Sequence, residues 1–213
     1  MRLITTNYSE QISQLPKVGR HIAAQFDEEG VVVYQAYRQA IGEFAATHGY
    51  FGGEFSLSRM SWIKPNFTWM MYRSGWGQKV GQEVVLAVKI RRSIFDLILA
   101  DAVCSSYNHD LYPTERDWKR AVVNSDVRIQ WDPDHGPRGG KLDRRAIQLG
   151  LRGKMLANYA KESIIWIEDI SEFVHEQHQN LSDLTTLMVP SEAIYPVTDV
   201  EIATRLQISL ITL

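Results

Sequence analysis

Residues 31–49 read VVVYQAYRQAIGEFAATHG, and this stretch decides the predicted fold class. Its first part, Val31 to Tyr37, is a β-branched and aromatic run of strand length. Its second part, Arg38 to His48, has the composition of a helix, and Gly49 supplies a C-terminal stop. The stretch therefore predicts a strand that passes directly into a helix.

The elements on either side of this stretch follow no regular alternation. A second clear strand, EVVLAVKI, covers Glu83 to Ile90. Helices are predicted at Val18 to Phe26, Phe67 to Ser74, Ile94 to Cys104, Thr114 to Val123, around Met155 to Tyr159 and at Ser171 to His178, and Thr198 with Glu201 opens a last one. Strands are predicted at Val127 to Trp131, which ends in a turn at Asp132-Pro133-Asp134, at Ala146 to Arg152 and at Ile164 to Ile167. Because strict strand–helix–strand alternation is missing, we predict an α+β fold with a mixed, mainly antiparallel sheet flanked by helices.

Length and composition indicate one domain. The 213 residues are 45% hydrophobic and contain no repeat or linker-like run, so we expect a single domain in which residues 179–213 form a C-terminal appendage. The lone Cys104 excludes an internal disulfide framework and a cysteine-based zinc site. The N-terminal stretch MRLITTNYSEQ lacks an apolar signal region, and no run approaches the ~18 apolar residues that span a bilayer. We therefore expect a cytoplasmic protein with no membrane partner.

The charge distribution is uneven along the chain. Seven Lys or Arg residues lie between Arg59 and Arg92 against the single acid Glu83, whereas the segment from Lys161 to Glu201 is mainly acidic. A basic middle third suits a nucleotide or another anionic ligand, although solvated charged faces have the same pattern. The acidic segment is compatible with either plain surface or a homodimer contact.

The segment SLSRMSWIKPNFTWMMYRSGWG, residues 56–77, carries most of the chemical information. Asn66 is a good N-cap and Gly75 a good helix stop, so Trp69 and Arg73 lie four residues apart on one face of a short helix. Aromatic residues in a row are often core. However, the interleaved cations must reach water, a carboxylate or a bound anion, because burying an unpaired charge is costly. Stacking rings beside cations are typical of nucleotide and single-strand binding. We therefore select five residues here as ligand-binding candidates: Arg59, Trp62, Lys64, Trp69 and Arg73.

A second candidate strip, RIQWDPDHGPRGG, covers residues 128–140. Gln130 and Asp132 lie two residues apart near a strand end, on one face, with Trp131 opposite, and they are the catalytic candidates. Arg145 and Gln148, which flank the next strand, are predicted to reach the same cleft. Asp132, Asp134 and His135 lie too close together in a turn-like segment to chelate a metal well, so no metal is expected.

The quoted motifs resemble a bacterial and fungal family, the domain of unknown function 4291. The resemblance is carried by HIAAQFDEEGVVVYQAY (21–37), SRMSWIKPNFTWMMYRSGWG (58–77), QWDPDHGP (130–137) and RAIQLGLRG (145–153). It covers residues from about 20 to 178.

The order of elements is also similar to the ADP-ribosyltransferase layout. Those enzymes carry a His or Arg on an early strand and a Glu, often in Gln-x-Glu, on a late strand. This chain departs from both patterns, because its early strand offers Tyr34, Gln35 and Tyr37 and its late motif is Gln130-Trp131-Asp132. The resemblance implies NAD as cofactor, with the early-strand residues binding it.

Two hypotheses of function follow. The first is an NAD-dependent ADP-ribosyltransferase-like enzyme or NAD glycohydrolase, which needs a carboxylate near the ribose, an aromatic wall for nicotinamide and cations for the pyrophosphate. The second is a binding module for nucleic acid or a nucleotide without catalysis, which uses the same aromatic and basic side chains. Both require the two strips to face one cleft.

Overall fold

The computed structural model describes residues 1–209. The helices are α1 (Tyr8–Gln14), α2 (Gln39–His48), α3 (Phe67–Ser74), α4 (Arg92–Asp101), α5 (Glu115–Asn124), α6 (Gly153–Lys161), α7 (Ser171–Gln179) and α8 (Val200–Arg205). The strands are β1 (Thr5–Asn7), β2 (Gly19–Arg20), β3 (Ala23–Ala24), β4 (Gly30–Tyr37), β5 (Ser61–Ile63), β6 (Val84–Arg91), β7 (Ala102–Cys104), β8 (Val127–His135), β9 (Lys141–Leu151), β10 (Ile164–Asp169), β11 (Met188–Pro190) and β12 (Ala193–Ile194). This is an α+β fold.

Two principal sheets organise the chain. The smaller has the order β10-β6-β4 and is antiparallel throughout. The larger has the order β2-β9-β8-β7, and β5 pairs with β9 as well. In the larger sheet, β2 pairs in parallel with β9 and β7 pairs in parallel with β8. The long β8–β9 hairpin and the β5–β9 pair are antiparallel. The pairing is therefore mixed and mainly antiparallel, as predicted.

The two sheets meet at Tyr34 and Lys64. The amide of Tyr34 donates to the Lys64 carbonyl at 2.7 Å, and the Lys64 amide donates back to the Tyr34 carbonyl at 3.2 Å. This isolated antiparallel bridge joins β4 of the small sheet to the residue that follows β5 of the large one. It fixes the position of the Lys64 backbone.

Strands β4 and β6 are buried on both faces. Val33 and Val88 pack into a core shared with β8, β9, α4 and α6, whereas Val32, Tyr34 and Ala87 pack into a second core with α3 and α7. Burial on both sides explains why these strands are near-continuous apolar runs rather than alternating ones. It also decides which of their side chains can reach a cleft.

Several predicted elements are confirmed by the structure. Strands β4 and β6 and helices α2, α3 and α5 lie within one or two residues of their predicted bounds. Gly49 and Gly75 adopt the left-handed conformation at the ends of α2 and α3, with φ of 74° and 58°. Asn66 caps α3 through its side chain, as predicted.

Other boundaries were wrong. The predicted helix from Val18 to Phe26 is replaced by β2 and β3, because Gly19 has a φ of 95° and the next residues pair with β9 and β12. The predicted turn at Asp132-Pro133-Asp134 lies inside β8, which continues past it through a register shift. The helix predicted to reach Cys104 ends at Asp101 and gives way to β7. The last helix is capped by Asp199 and not by Thr198.

Arginine side chains close several helix ends. Arg152 donates through Nη2 to the carbonyl of Val122 in the last turn of α5 at 2.9 Å and to that of Ser125, its C-cap residue, at 2.8 Å. Arg205 donates in the same way to the Ala100 carbonyl at 2.6 Å, in the last turn of α4. Cations at helix C-termini satisfy orphan carbonyls and interact favourably with the helix dipole. Part of the basic composition therefore serves the fold.

The C-terminal segment packs on the N-terminal part of the chain. Strand β11 pairs with β1 and β12 pairs with β3, both antiparallel. The Trp131 indole donates to the Leu206 carbonyl at 2.9 Å.

Within the described residues, no helix is both long and apolar enough to cross a bilayer.

Candidate functional site

The two strips singled out in the sequence face one cleft of about 440 Å³. Helix α3 and strand β5 form one wall, and the β8–β9 hairpin forms the floor. The lining side chains are Trp62, Lys64, Trp69, Arg73, Gln130, Asp132 and Gln148. All belong to the predicted set, and their roles there stay predictions.

The floor of the cleft is a carboxylate held by two amides. Gln130 and Gln148 are directly opposite each other in the β8–β9 register. Gln130 donates to one Asp132 oxygen at 2.9 Å, and Gln148 donates to the other at 2.8 Å. Because successive side chains of a strand point to opposite faces, Trp131 points away from the cleft, as predicted. The carboxylate is thus fixed in orientation on a rigid hairpin.

The Trp62 indole lies over a glycine. Trp62 pairs with Gly150 across β5 and β9. A Cβ atom at Gly150 would come within 3.0 Å of two indole carbons and 2.7 Å of the Met60 sulfur. The absence of a side chain at Gly150 therefore lets the Trp62 indole pack against the strand, and any larger residue would displace the indole.

Lys64 is a mostly buried lysine whose ammonium has no protein partner among residues 1–209. The residue is only 6% exposed. Its side chain lines the cleft, and within residues 1–209 its ammonium makes neither a hydrogen bond nor an ion pair. Burial and the positive charge of Arg73 lower the pKa of Lys64 to about 8, and Asp132 opposes this shift only in part. An ammonium in this state gains from a bound anion.

Helix α3 supplies Trp69 and Arg73, which both line the cleft. Trp69 is 4% exposed, whereas Arg73 is exposed and makes no ion pair with the described residues. Trp69 stacks beside Tyr72 and His135, with ring centroids 5.4 and 5.2 Å away. The helix therefore holds one indole firmly and leaves one guanidinium available for a ligand.

The start of α3 is anchored from two directions. The Asn66 side chain accepts a hydrogen bond from the Trp69 amide at 2.7 Å. Glu192 accepts from the Phe67 amide at 2.6 Å and from the Asn66 side-chain amide at 2.8 Å. Burial raises the pKa of Glu192 to about 8, although both hydrogen bonds favour its ionised form. The orientation of the helix, and with it of Trp69 and Arg73, depends on this cluster.

Five predicted site residues do not reach the cleft. Tyr34 and Gln35 are buried because β4 is covered on both faces. Gln35 instead donates to the Trp62 carbonyl at 3.3 Å and accepts from the Tyr159 hydroxyl at 2.6 Å, so it supports β5 from behind. Tyr37 hydrogen-bonds Ser61 at 2.7 Å, and burial raises its pKa. Arg59 lines a separate hollow of about 330 Å³ with Tyr37.

Arg145 is the fifth of these residues. It is exposed and lies three residues from Gln148 on β9, so strand alternation directs it to the opposite face. The prediction that Arg145 and Gln148 share the cleft was wrong for Arg145.

A family model described as Domain of unknown function (DUF4291) matches residues 21–195. The chain belongs to this family. The match includes every residue of the cleft and extends past the predicted end near residue 178, so that β11 and β12 fall inside it. A search of curated proteins gave no match.

Three further residues of this DUF4291 chain contribute to the site and were not found in the sequence. Gly150 had a weak signal, because a glycine inside a strand pattern often marks a close approach. Arg144 ion-pairs with Asp134 at 2.6 Å within the β8–β9 hairpin, and both side chains are buried. Glu192 had no sequence signal, because it lies far along the chain from the helix it anchors.

Among residues 1–209, no group of three His, Cys, Asp or Glu side chains is arranged to hold a metal ion.

Proposed function

We propose that this DUF4291 protein binds a nucleotide in the cleft and cleaves the glycosidic bond of NAD, as an ADP-ribosyltransferase-like enzyme or an NAD glycohydrolase. One observation supports this above all others. The oriented Asp132 carboxylate shares a 440 Å³ cleft with two indoles and with two cations that form no ion pair with residues 1–209. Clefts of this size are typical of small-ligand sites.

The cations support an anionic ligand. Lys64 and Arg73 both line the cleft, and the positive charge of Arg73 contributes to lowering the pKa of Lys64. Two like charges that share a cleft are stabilised by a phosphate, whose oxygens accept charge-assisted hydrogen bonds. A guanidinium and an ammonium side by side suit the pyrophosphate of a dinucleotide.

The indoles support a planar ligand group. Trp62 rests on the hairpin through Gly150, and Trp69 is held by α3. A base or a nicotinamide ring gains roughly 1–3 kcal/mol by stacking on such a side chain. Because Tyr34 and Tyr37 point elsewhere, the aromatic wall in this proposal consists of the two tryptophans alone.

Asp132 supplies the group that the chemistry needs. In NAD cleavage the bond between ribose C1 and the nicotinamide nitrogen breaks, the electron pair leaves with the neutral nicotinamide, and positive charge develops on the ribose. A carboxylate fixed near that carbon stabilises the charge and can accept the proton of the attacking water or acceptor. Gln130 and Gln148 orient the carboxylate.

Release of nicotinamide from NAD tests the proposal. The purified protein should release nicotinamide, and Asp132→Asn should slow release by roughly 100-fold or more, as expected when an electrostatic transition-state contact is lost. Asp143→Asn is the matched control, because Asp143 is an exposed carboxylate on β9 of the same hairpin. Absence of nicotinamide release from the wild-type protein with water, protein or nucleic acid as acceptor would contradict the proposal.

A second candidate function is binding of nucleotide or nucleic acid without catalysis. It is favoured by Lys64 and Arg73, which line the cleft and need no carboxylate to hold a phosphate. It predicts that oligonucleotide binding weakens as salt is added and on Arg73→Ala, while Asp132→Asn leaves binding intact. Binding that ignores salt, or loss of binding in Asp132→Asn, would reject this second candidate.

A further inference from the structure

Lys64 is placed more like a reactive amine than like a surface cation. Its backbone is fixed by the bridge to Tyr34 on one side and followed by Pro65 on the other, which restricts the residue to an extended conformation. Its side chain leaves this rigid point and enters the cleft wall at 6% exposure. The amine thus has a fixed origin and a ligand-sized space in front of it.

Other lysines of the chain differ in their surroundings. Lys89 forms ion pairs with Asp27 at 2.6 Å and Glu29 at 3.4 Å, and these raise its pKa. Lys119 pairs with Glu115 at 2.8 Å on an exposed helix face. An amine held in a charged pair is a poor nucleophile, whereas a desolvated amine beside another cation is an activated one. Arg73 is the neighbouring cation of Lys64.

We propose that Lys64 is a nucleophile that forms an imine with the C1 aldehyde of a 5-phosphorylated ribose held in the cleft. The identity of the sugar rests on the proposed function, because hydrolysis of NAD would leave a ribose whose C1 can open to an aldehyde and whose 5-oxygen carries the phosphates of ADP. The reactivity of the amine rests on the surroundings of Lys64 alone.

The step balances without any further reactant. The neutral Lys64 amine donates its electron pair to the aldehyde carbon, the carbonyl oxygen takes up protons, and a carbinolamine forms. Loss of water from that adduct breaks the carbon–oxygen bond and forms the carbon–nitrogen double bond. The two amine protons leave in the water, and no oxidation or reduction takes place.

The remaining cleft residues suit such an adduct. Arg73 provides a charge for the sugar phosphate, and the polar floor of Gln130, Asp132 and Gln148 offers acceptors and donors for the sugar hydroxyls. Asp132 and Arg73 are the charged groups that influence the ionisation of Lys64. At about pH 8 a large fraction of the amine is neutral and able to attack.

Reductive trapping tests the inference with ribose 5-phosphate as the probe. The full chain is incubated with ribose 5-phosphate and cyanoborohydride, which reduces an imine to a stable secondary amine, and the modified peptide is identified by mass spectrometry. We expect at least tenfold more adduct on the Lys64 peptide than on any other lysine peptide. Inorganic phosphate should compete with the probe.

Two variants serve as matched controls. Lys64→Arg keeps the positive charge and should abolish trapping in that peptide, whereas Lys89→Arg should leave the yield at Lys64 unchanged. If Lys64→Arg fails to fold, the distribution of adduct among the wild-type peptides still decides the matter. Adduct spread evenly over the surface lysines, or absent from Lys64, would overturn the inference.

This outcome is separable from that of the proposed function. Trapping uses a preformed sugar phosphate and needs no cleavage of NAD. Successful trapping without nicotinamide release would reject the NAD activity and retain Lys64 as the nucleophile. Nicotinamide release without trapping at Lys64 would reject the nucleophile and retain the NAD activity. Trapping of ribose 5-phosphate but not of unphosphorylated ribose would further show that the cleft cations select the phosphate.

Discussion

At the scale of single residues, we expect the ionisation of Lys64 to control how strongly the cleft attracts an anion. Below about pH 8 the Lys64 amine is mainly charged, and above that pH it becomes neutral. Affinity for ADP-ribose, whose pyrophosphate keeps its charge across this range, should therefore fall as the pH rises through about 8. We expect a loss approaching tenfold for each pH unit above that pKa, measured by quenching of tryptophan fluorescence.

The sign of this effect follows from proton linkage. A bound anion restores the charged form of Lys64, so binding takes up a proton at high pH and becomes weaker as protons become scarce. Lys64→Arg should bind with an affinity that is flat between about pH 7 and 9, because a guanidinium stays charged. An unchanged wild-type affinity across the same range would show that Lys64 does not contact the anion.

Gly150 carries a second residue-scale prediction. Gly150→Ala would place a methyl group 2.7 Å from the Met60 sulfur and 3.0 Å from the Trp62 ring, so the indole must move. We expect a loss of roughly 1–3 kcal/mol in unfolding free energy from overpacking and a clear weakening of ligand binding. Gly140→Ala, where nothing lies within 4 Å of the added atom, is the control in the same hairpin. Equal ligand affinity in both variants would contradict this role for Gly150.

At the scale of elements, α3 is the helix that carries the site. Asn66→Ala removes the hydrogen bond to the Trp69 amide and the contact to Glu192, so the unfolding free energy should fall by roughly 0.5–2 kcal/mol. Because Trp69 and Arg73 lie on this helix, the variant should also weaken ADP-ribose binding. Urea unfolding and a binding titration measure the two effects.

An N-cap residue on another helix separates the effect on stability from the effect on ADP-ribose binding. Thr114 caps α5 through its bond to the Asp117 amide at 3.2 Å, and none of the cleft-lining residues lies on that helix. Thr114→Ala should cost a similar amount of stability and leave binding unchanged. If both variants weakened binding equally, the orientation of α3 would not be the cause.

Elements with strong local signals could be predicted, and those set by tertiary pairing could not. Helix α3 is bounded by Asn66 and Gly75, and both bounds are legible in sequence. Strands β2 and β3 have two residues each and exist only through pairing with β9 and β12, so a near-helical spacing of apolar residues was misleading there. Similarly, the Asp-Pro-Asp turn pattern is overridden by the long β8–β9 ladder.

At the scale of the whole molecule, the cleft is formed by segments more than fifty residues apart. Their charged and aromatic residue types suggested a shared site, and the pairing of β5 and β8 with the two edges of β9 brings them together. Tyr34 and Gln35 could not be excluded by sequence, because their burial depends on α3 and α7 covering the second face of β4. The anchoring of α3 by Glu192 likewise exists only once the C-terminal segment has folded back.

The β8–β9 hairpin that forms the floor of the cleft also holds the buried ion pair of Arg144 and Asp134. Asp134 accepts from the Arg144 Nε at 2.6 Å and from the His135 amide at 2.7 Å, while Arg144 also reaches the Pro16 carbonyl at 3.5 Å. Burial raises the pKa of Asp134, and the guanidinium opposes that shift. The pair therefore links the β8–β9 hairpin to the N-terminal segment. This link costs the desolvation free energy of two charged groups.

Removing one charge of this pair should lower the unfolding free energy far more than removing both charges. Arg144→Met leaves a buried carboxylate without its counter-ion, and we expect a loss of about 3–5 kcal/mol in unfolding free energy by urea denaturation. The double variant Asp134→Asn with Arg144→Met removes both charges and keeps an acceptor for the His135 amide, so it should recover a large part of that loss. Lys119→Ala, which breaks an exposed pair with Glu115, should cost about 0.3–0.5 kcal/mol at most. A double variant as unstable as Arg144→Met alone would mean that the packing of the arginine stem, rather than the buried charge, holds the hairpin to the N-terminal segment.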